Sequence, residues 1–197
     1  MERKNQAMKV TREQAAANRE KIVEVASILF RKHGFEGIGV ADIMKAAGLT
    51  HGGFYGHFDS KEDLAAEACS RAVRRSWDVW IDDSSPGGLE AIVRNYLTPE
   101  HRNDRGRGCL YAAVGSDTPR QPRAVRRAFT EGLRGTIERL LDLMPGRSAA
   151  LRRRRALAMM SGLVGALILS RAVEDPRLSD EILDGATTVF SHFDKVV

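Results

Sequence analysis

The stretch GLTHGGFYGHFDSKEDL, Gly48 to Leu64, constrains the fold more tightly than any other part of the chain. Phe54 and Phe58 are four residues apart, the spacing of one helix face, yet Gly52, Gly53 and Gly56 interrupt the same segment. A glycine inside a helix costs about 1 kcal/mol relative to alanine, so three of them answer to a demand other than helix stability. Upstream, Ile43 and Ala47 lie four apart in VADIMKAA, and Gly48 forces a turn behind them. Thr50 is placed to cap the next helix. Downstream, Ser60 followed by Asp63 resembles a capping box opening a further helix. Two short helices joined by a glycine turn make a helix-turn-helix.

That motif supplies a reason for the glycines. Its second helix enters the major groove of DNA with its N-terminal residues foremost, and its free N–H groups and positive dipole end face the nucleic acid. Gly52 and Gly53 let that end approach without a side chain in the way. Thr50, His51 and the backbone of Gly52 and Gly53 suit base edges or a thymine methyl, whereas Tyr55, His57 and Lys61 suit phosphates. His51 and His57 are six apart and cannot share a metal on one helix face, so neither a metal nor a cofactor is expected.

Charge permits this reading without carrying it. The net charge of +5 places +3 in residues 1–12, zero in residues 13–75 and +2 in residues 76–197. The excess at the front is expected to be a flexible basic tail, and the remainder a mixed solvated surface. Cys69 and Cys109 have neither paired nor metal-like spacing, which argues for a reducing cytoplasmic setting. MERKNQAMKV lacks the apolar stretch of a signal peptide. The longest uncharged run, Ala156 to Ser170, is 15 residues, short for a membrane span, so no membrane partner is expected.

Helical periodicity continues along the chain, and no strand is convincing, which predicts an all-α fold. Ile22, Val25, Ala26, Leu29 and Phe30 outline a first helix ended by Gly34. Beyond the motif, helices are expected from Ser60 to about Trp80 or Ile81, from Leu89 to Leu97, from about Cys109 to Val114, from Pro122 to Met144, from about Ser148 to Val173 and from Ser179 to about Phe193. Pro86, Gly87 and Gly88 mark a boundary. The charged PEHRNDRGRG, Pro99 to Gly108, is expected to be the most mobile loop. Arg152 to Arg155 read as a solvated helix turn rather than a second DNA patch. Nowhere do a nucleophile, base and acid converge. Cys109 with His101 is an isolated pair, so an enzyme is not expected.

The segment Gly34 to Leu64 resembles the DNA-binding domain of the TetR (tetracycline repressor) family of bacterial transcriptional regulators. The resemblance rests on Gly34, Val40, Ile43, Ala47, Gly48, Leu49, Tyr55, Phe58, Ser60, Lys61, Glu62 and Leu64 in the family's order. It departs at Gly39, where the family often has Thr or Ser, and at Ala41, where arginine is common. The resemblance implies a nine-helix homodimer. Residues 13–59 would bind DNA, and residues 60–197 would bind a small effector and dimerise. Its last two helices would form a four-helix bundle with the partner, here through Gly162, Gly165, Ala166, Ile182, Ala186, Val189 and Phe190. An effector cavity would draw on Trp77, Trp80, Tyr96, Cys109, Tyr111, Phe129, Leu133 and Ile137, aromatic walls with few polar anchors that suit a flat or lipophilic molecule. The function so implied is a repressor released from a palindromic operator by that molecule. A ligand-independent, architectural DNA binder is the first alternative, and a small helical enzyme the second.

Overall fold

The computed structural model describes residues 11–80 and 88–191, with the backbone alone at Trp80. Most of the basic tail, the Pro86–Gly87 boundary and Phe193 lie outside the described residues. Within them are nine α-helices, two short 3-10 helices and no strand. The α-helices are α1 (Arg12–His33), α2 (Val40–Ala46), α3 (Lys61–Trp80), α4 (Gly88–Tyr96), α5 (Pro99–Asn103), α6 (Leu110–Val114), α7 (Arg123–Leu141), α8 (Ala149–Ala172) and α9 (Pro176–Ser191). The 3-10 helices span His51–Gly56 and Thr118–Arg120.

Local chemistry sets the first three elements. The Thr11 hydroxyl caps α1 by accepting from Gln14 N at 3.1 Å, and Gly34 ends it with φ 76°. Gly48, at φ 69°, reverses the chain after α2. Ile22, Ala26, Phe30, Ile43, Phe54 and Leu64 are buried together, so the α1 face, α2 and the 3-10 helix close on one apolar centre. Burying such side chains contributes about 1.5–3 kcal/mol each, which outweighs the poor propensity of the glycine segment.

Helix α3 belongs to both halves of the molecule. Its first turns enter the N-terminal core through Leu64, Ala65 and Ala68, while its later turns lie against α7. Small residues on α7 permit that approach. A Cβ at Gly132 would sit 2.7 Å from Val73 Cγ2, and one at Gly135 would sit 2.9 Å from the Trp77 ring. Ion pairs Arg19–Glu67, Arg71–Glu20 and Arg75–Glu24 tie α3 to α1 along the other side.

Three expectations are corrected. The segment after Gly48 is a 3-10 helix rather than an α-helix, and the Thr50 side chain makes no capping hydrogen bond to it. Ser60 does accept from Asp63 N at 3.1 Å, but the short Asp63 side chain returns only to the Ser60 hydroxyl at 2.9 Å. The third correction concerns Pro99 to Gly108, which is ordered and docked. Thr98 accepts from His101 N at 3.1 Å, Pro99 occupies the first turn of α5, and His101 is buried. A threonine followed by proline is a helix start as well as a loop signal, and burial decides between them.

Helix α8 is long and apolar enough, by length and composition, to cross a membrane. Here Ala156, Met159, Leu163 and Leu167 are buried, and the helix packs against α6, α7 and α9, as a central core helix does.

Candidate nucleic-acid interface and interior cavity

The 3-10 helix presents one continuous exposed strip. Gly53 N donates to Thr50 O at 3.0 Å and His57 N donates to Phe54 O at 2.9 Å, so the segment is wound tightly around one anchor. That anchor is Phe54, buried and stacked on Phe58 with ring centroids 5.6 Å apart. Tyr55, the next residue, points the other way and is 69% exposed. Thr50, His51, Gly52, Gly53 and Gly56 are exposed beside it, and His57 and Lys61 are half-buried at the far end. All seven proposed DNA-facing residues thus lie on or beside one element.

The protein's own packing does not require these glycines. None of the three has positive φ. A Cβ at Gly52 or Gly56 would meet nothing within 4 Å, and one at Gly53 would make only ordinary contacts, with Thr50 Oγ1 at 3.6 Å and Met44 Cε at 3.8 Å. The contrast is Gly162, where a Cβ would fall 2.0 Å from the Phe190 ring. Two flanking cations were not foreseen in the sequence. Lys45 is exposed in the last turn of α2, and a Cβ on Gly48 would lie 3.6 Å from Lys21 Nζ. Only the packing of α1 on the turn brings Lys21 there.

Inside the second half, a small, partly open cavity of about 30 Å³ lies between α3, α4, α6, α7 and α8. Of the residues expected at an effector site, Trp77, Tyr96, Cys109 and Tyr111 line it, joined by Ser76, Ile92, Thr136, Leu140, Met160 and Leu163. Phe129, Leu133 and Ile137 are not in its wall; Phe129 instead stands edge-on to Tyr111, with centroids 5.1 Å apart. The Trp80 side chain lies outside the description. Thr136 is the polar hub: its hydroxyl accepts from Trp77 Nε1 at 2.9 Å, shares a hydrogen bond with the Tyr111 hydroxyl at 3.1 Å and donates to Gly132 O at 3.0 Å. A volume of this order holds a water or two and no larger guest.

Burial controls the titrating groups around this cavity. The Cys109 thiol is pushed up, and that of Cys69 is pushed up to about 12, so neither is poised as a thiolate at neutral pH. His101 accepts from Cys109 N at its Nε2 (2.8 Å) and shares a hydrogen bond with Tyr96 O through Nδ1 (2.6 Å). Burial holds its pKa down at about 4. The unfolded chain takes up this proton near pH 6.5 and the folded chain only near pH 4, so stability falls as pH is lowered through that window. The expected loss is about 3 kcal/mol by pH 4. Imidazole NMR should show His101 neutral at pH 5; a protonated ring there would refute this placement.

The expected dimer residues divide into two groups. Gly162 seats the Phe190 ring of the same chain, an α8–α9 contact within one molecule, and Ala166 is buried. Ile182 and Ala186 are half-buried against the core. A Cβ at Gly165 would meet nothing within 4 Å, and Val189 is 44% exposed. Leu157, Ile168 and Leu169 of α8 and Leu178 of α9 are further exposed apolar side chains on these two helices.

Residues 22–68 match the family model for bacterial regulatory proteins of the tetR family. The chain is similar to the transcriptional regulator AcrR of Shigella flexneri, 40% identical over 44% of this chain and 41% of that protein. It is also similar to the transcriptional repressor DhaR of Mycobacterium sp. (strain GP1), 30% identical over 47% and 48%. The match thus spans under half of each relative. In fold it resembles a TetR regulator from Chloroflexus aurantiacus J-10-FL, with a TM-score of 0.77 at 23% identity over 93% of this chain and 97% of that one. It likewise resembles the reduced form of Escherichia coli NemR, with a TM-score of 0.71 at 21% identity over 89% and 96%.

Proposed function

We propose that this chain, a TetR-family transcriptional regulator by its helix-turn-helix domain, binds duplex operator DNA as a homodimer and is released from it by a small apolar effector. The observation that carries DNA binding is the glycine strip: Gly52 and Gly56 face open space with ordinary backbone angles, so the demand for glycine comes from a partner outside the chain. Residues 13–59 are assigned to DNA and residues 60–197 to effector binding and dimerisation, with α3 as the lever between them. Two recognition elements related by two-fold symmetry double the base contacts across a palindrome.

Within that reading Lys61, at the first position of α3, meets a phosphate. Lys61→Ala should weaken binding to every duplex and change the slope of log affinity against log salt by about 1. Salt titrations in a mobility-shift assay measure this, and an unchanged slope removes Lys61 from the interface. Thr50 and His51 substitutions should change sequence preference instead.

The effector reading rests on the small apolar cavity beside the lever. A guest larger than water must part α3 from α7 at Trp77, and that movement reorients the N-terminal domain. A tenfold loss of DNA affinity requires the effector to bind the free form about 1.4 kcal/mol more tightly than the DNA-bound form. The smallness of the cavity favours a second reading, a constitutive DNA binder without a ligand. A panel of lipophilic compounds decides, read by tryptophan fluorescence and by operator release: one compound doing both supports the effector, and quenching without release supports the constitutive binder.

A further inference from the structure

We propose that the cleft between α1, α6 and α8 is an anion site for a small molecule with a phosphate or carboxylate head. The cleft has a volume of about 300 Å³, and its charged wall is Arg31, Lys32, Arg105 and Arg171, with His33 beside them, against a single carboxylate, Asp117. That carboxylate is already engaged: its Oδ1 accepts from Arg120 Nη2 at 2.7 Å, and its Oδ2 lies against the α1 cap, 2.8 Å from where a Cβ on Gly34 would be.

Two of the cations, by contrast, are held by backbone carbonyls. Arg171 donates to the carbonyls of Arg102 (2.9 Å) and His101 (2.8 Å). Arg31 donates through Nε to Gly106 O at 2.7 Å. It is 3% exposed, and its Nη1 and Nη2 have no hydrogen-bond partner among the described residues. Burial lowers its pKa to about 10, which leaves it charged at neutral pH. Two carboxylates, Glu24 and Asp104, do act on Arg31, and each is engaged, Glu24 with Arg75 and Asp104 with Arg107 N. The Lys32 stem is packed beneath the loop, with a Cβ on Gly106 falling 2.5 Å from its Cε. Cations desolvated against carbonyls leave a positive field that an anion compensates. The last turn of α1 favours cations through the helix dipole, but Arg105 and Arg171 come from other elements.

Ala112, Ile168 and Ala172 give one side of the cleft an apolar wall, which suits a small hydrophobic body behind the charged head. The volume is at the small end for such sites. An occupant would fasten α1, in the proposed DNA-binding half, to α6 and α8 of the core. Its effect on operator affinity rests on the function proposed above; its binding does not.

The test is calorimetric titration of the full chain, without DNA, at constant ionic strength, with inorganic phosphate, phenyl phosphate and benzoate. Saturable binding of at least one is expected, with phenyl phosphate tighter than inorganic phosphate. The choice between phenyl phosphate and benzoate identifies the head group. The double variant Lys32→Ala/Arg105→Ala, both exposed positions, should lose tenfold or more in affinity, and Arg31→Met provides a second variant inside the wall. No saturable binding of any of the three, or unchanged affinity in the double variant, overturns the proposal. Loss of DNA affinity and salt slope in that variant with phosphate binding intact would also overturn it, making the surface a DNA backbone contact.

Discussion

Gly52→Leu should leave the fold intact and cut DNA affinity at least about a hundredfold, a loss of about 2.7 kcal/mol. The two halves of this expectation come from separate facts. A Cβ at residue 52 enters open space, and the backbone there has no positive φ, so the larger side chain strains nothing. Replacing glycine within a helical turn also removes conformational freedom from the unfolded chain, worth roughly 0.4–1 kcal/mol in favour of the variant. Thermal unfolding should therefore match or exceed that of the parent. In the proposed DNA complex the same leucine would stand between the N-terminal end of the recognition element and the groove. The measurement is a mobility-shift titration on the duplex upstream of its own gene, paired with a melting curve. A variant that melts normally and binds DNA normally would show that the glycine strip faces no partner.

Legibility in the sequence followed how local the deciding interactions are. Gly34 and Gly48 were readable because a left-handed turn needs glycine whatever surrounds it, and both have φ near 70°. The register of α8 was readable because a long apolar periodicity leaves few choices. The 3-10 winding of His51–Gly56 was not, because a four-residue spacing of Phe54 and Phe58 suits either helix, and the hydrogen bonds from Gly53 and His57 decide it. Helix α5 was hidden for a different reason. Its charges suggested solvent, but Arg102 bonds Ser179 and Asp180 across the chain and His101 is buried under Cys109, contacts made only by tertiary packing. The cavity residues split the same way: Trp77, Tyr96, Cys109 and Tyr111 stood out as aromatic or reactive types, while Ile92, Leu140 and Leu163 look like any core position.

The second large effect is expected at the proposed dimer face. Leu169→Glu/Val189→Glu should turn the dimer into a folded monomer, raising the dimer dissociation constant a thousandfold or more, a change of about 4 kcal/mol. Leu169 is 56% and Val189 44% exposed in the single chain, so charges there cost the monomer little. In a two-fold interface each substitution occurs twice, and the dimer must bury four carboxylates without partners. Leu157, Gly165 and Leu169 recur at helical spacing on α8, and Gly165 has open space above it, so a partner helix can approach closely. Gly162→Leu should behave differently. Its side chain collides with Phe190 of its own chain, so it should lower the melting temperature before it alters the oligomeric state. Multi-angle light scattering with melting curves separates the two outcomes. If the charged variant remains a dimer, the exposed faces of α8 and α9 are not the interface. If it becomes a folded monomer, its operator affinity should fall as well, because one recognition element alone reads only half of a palindrome.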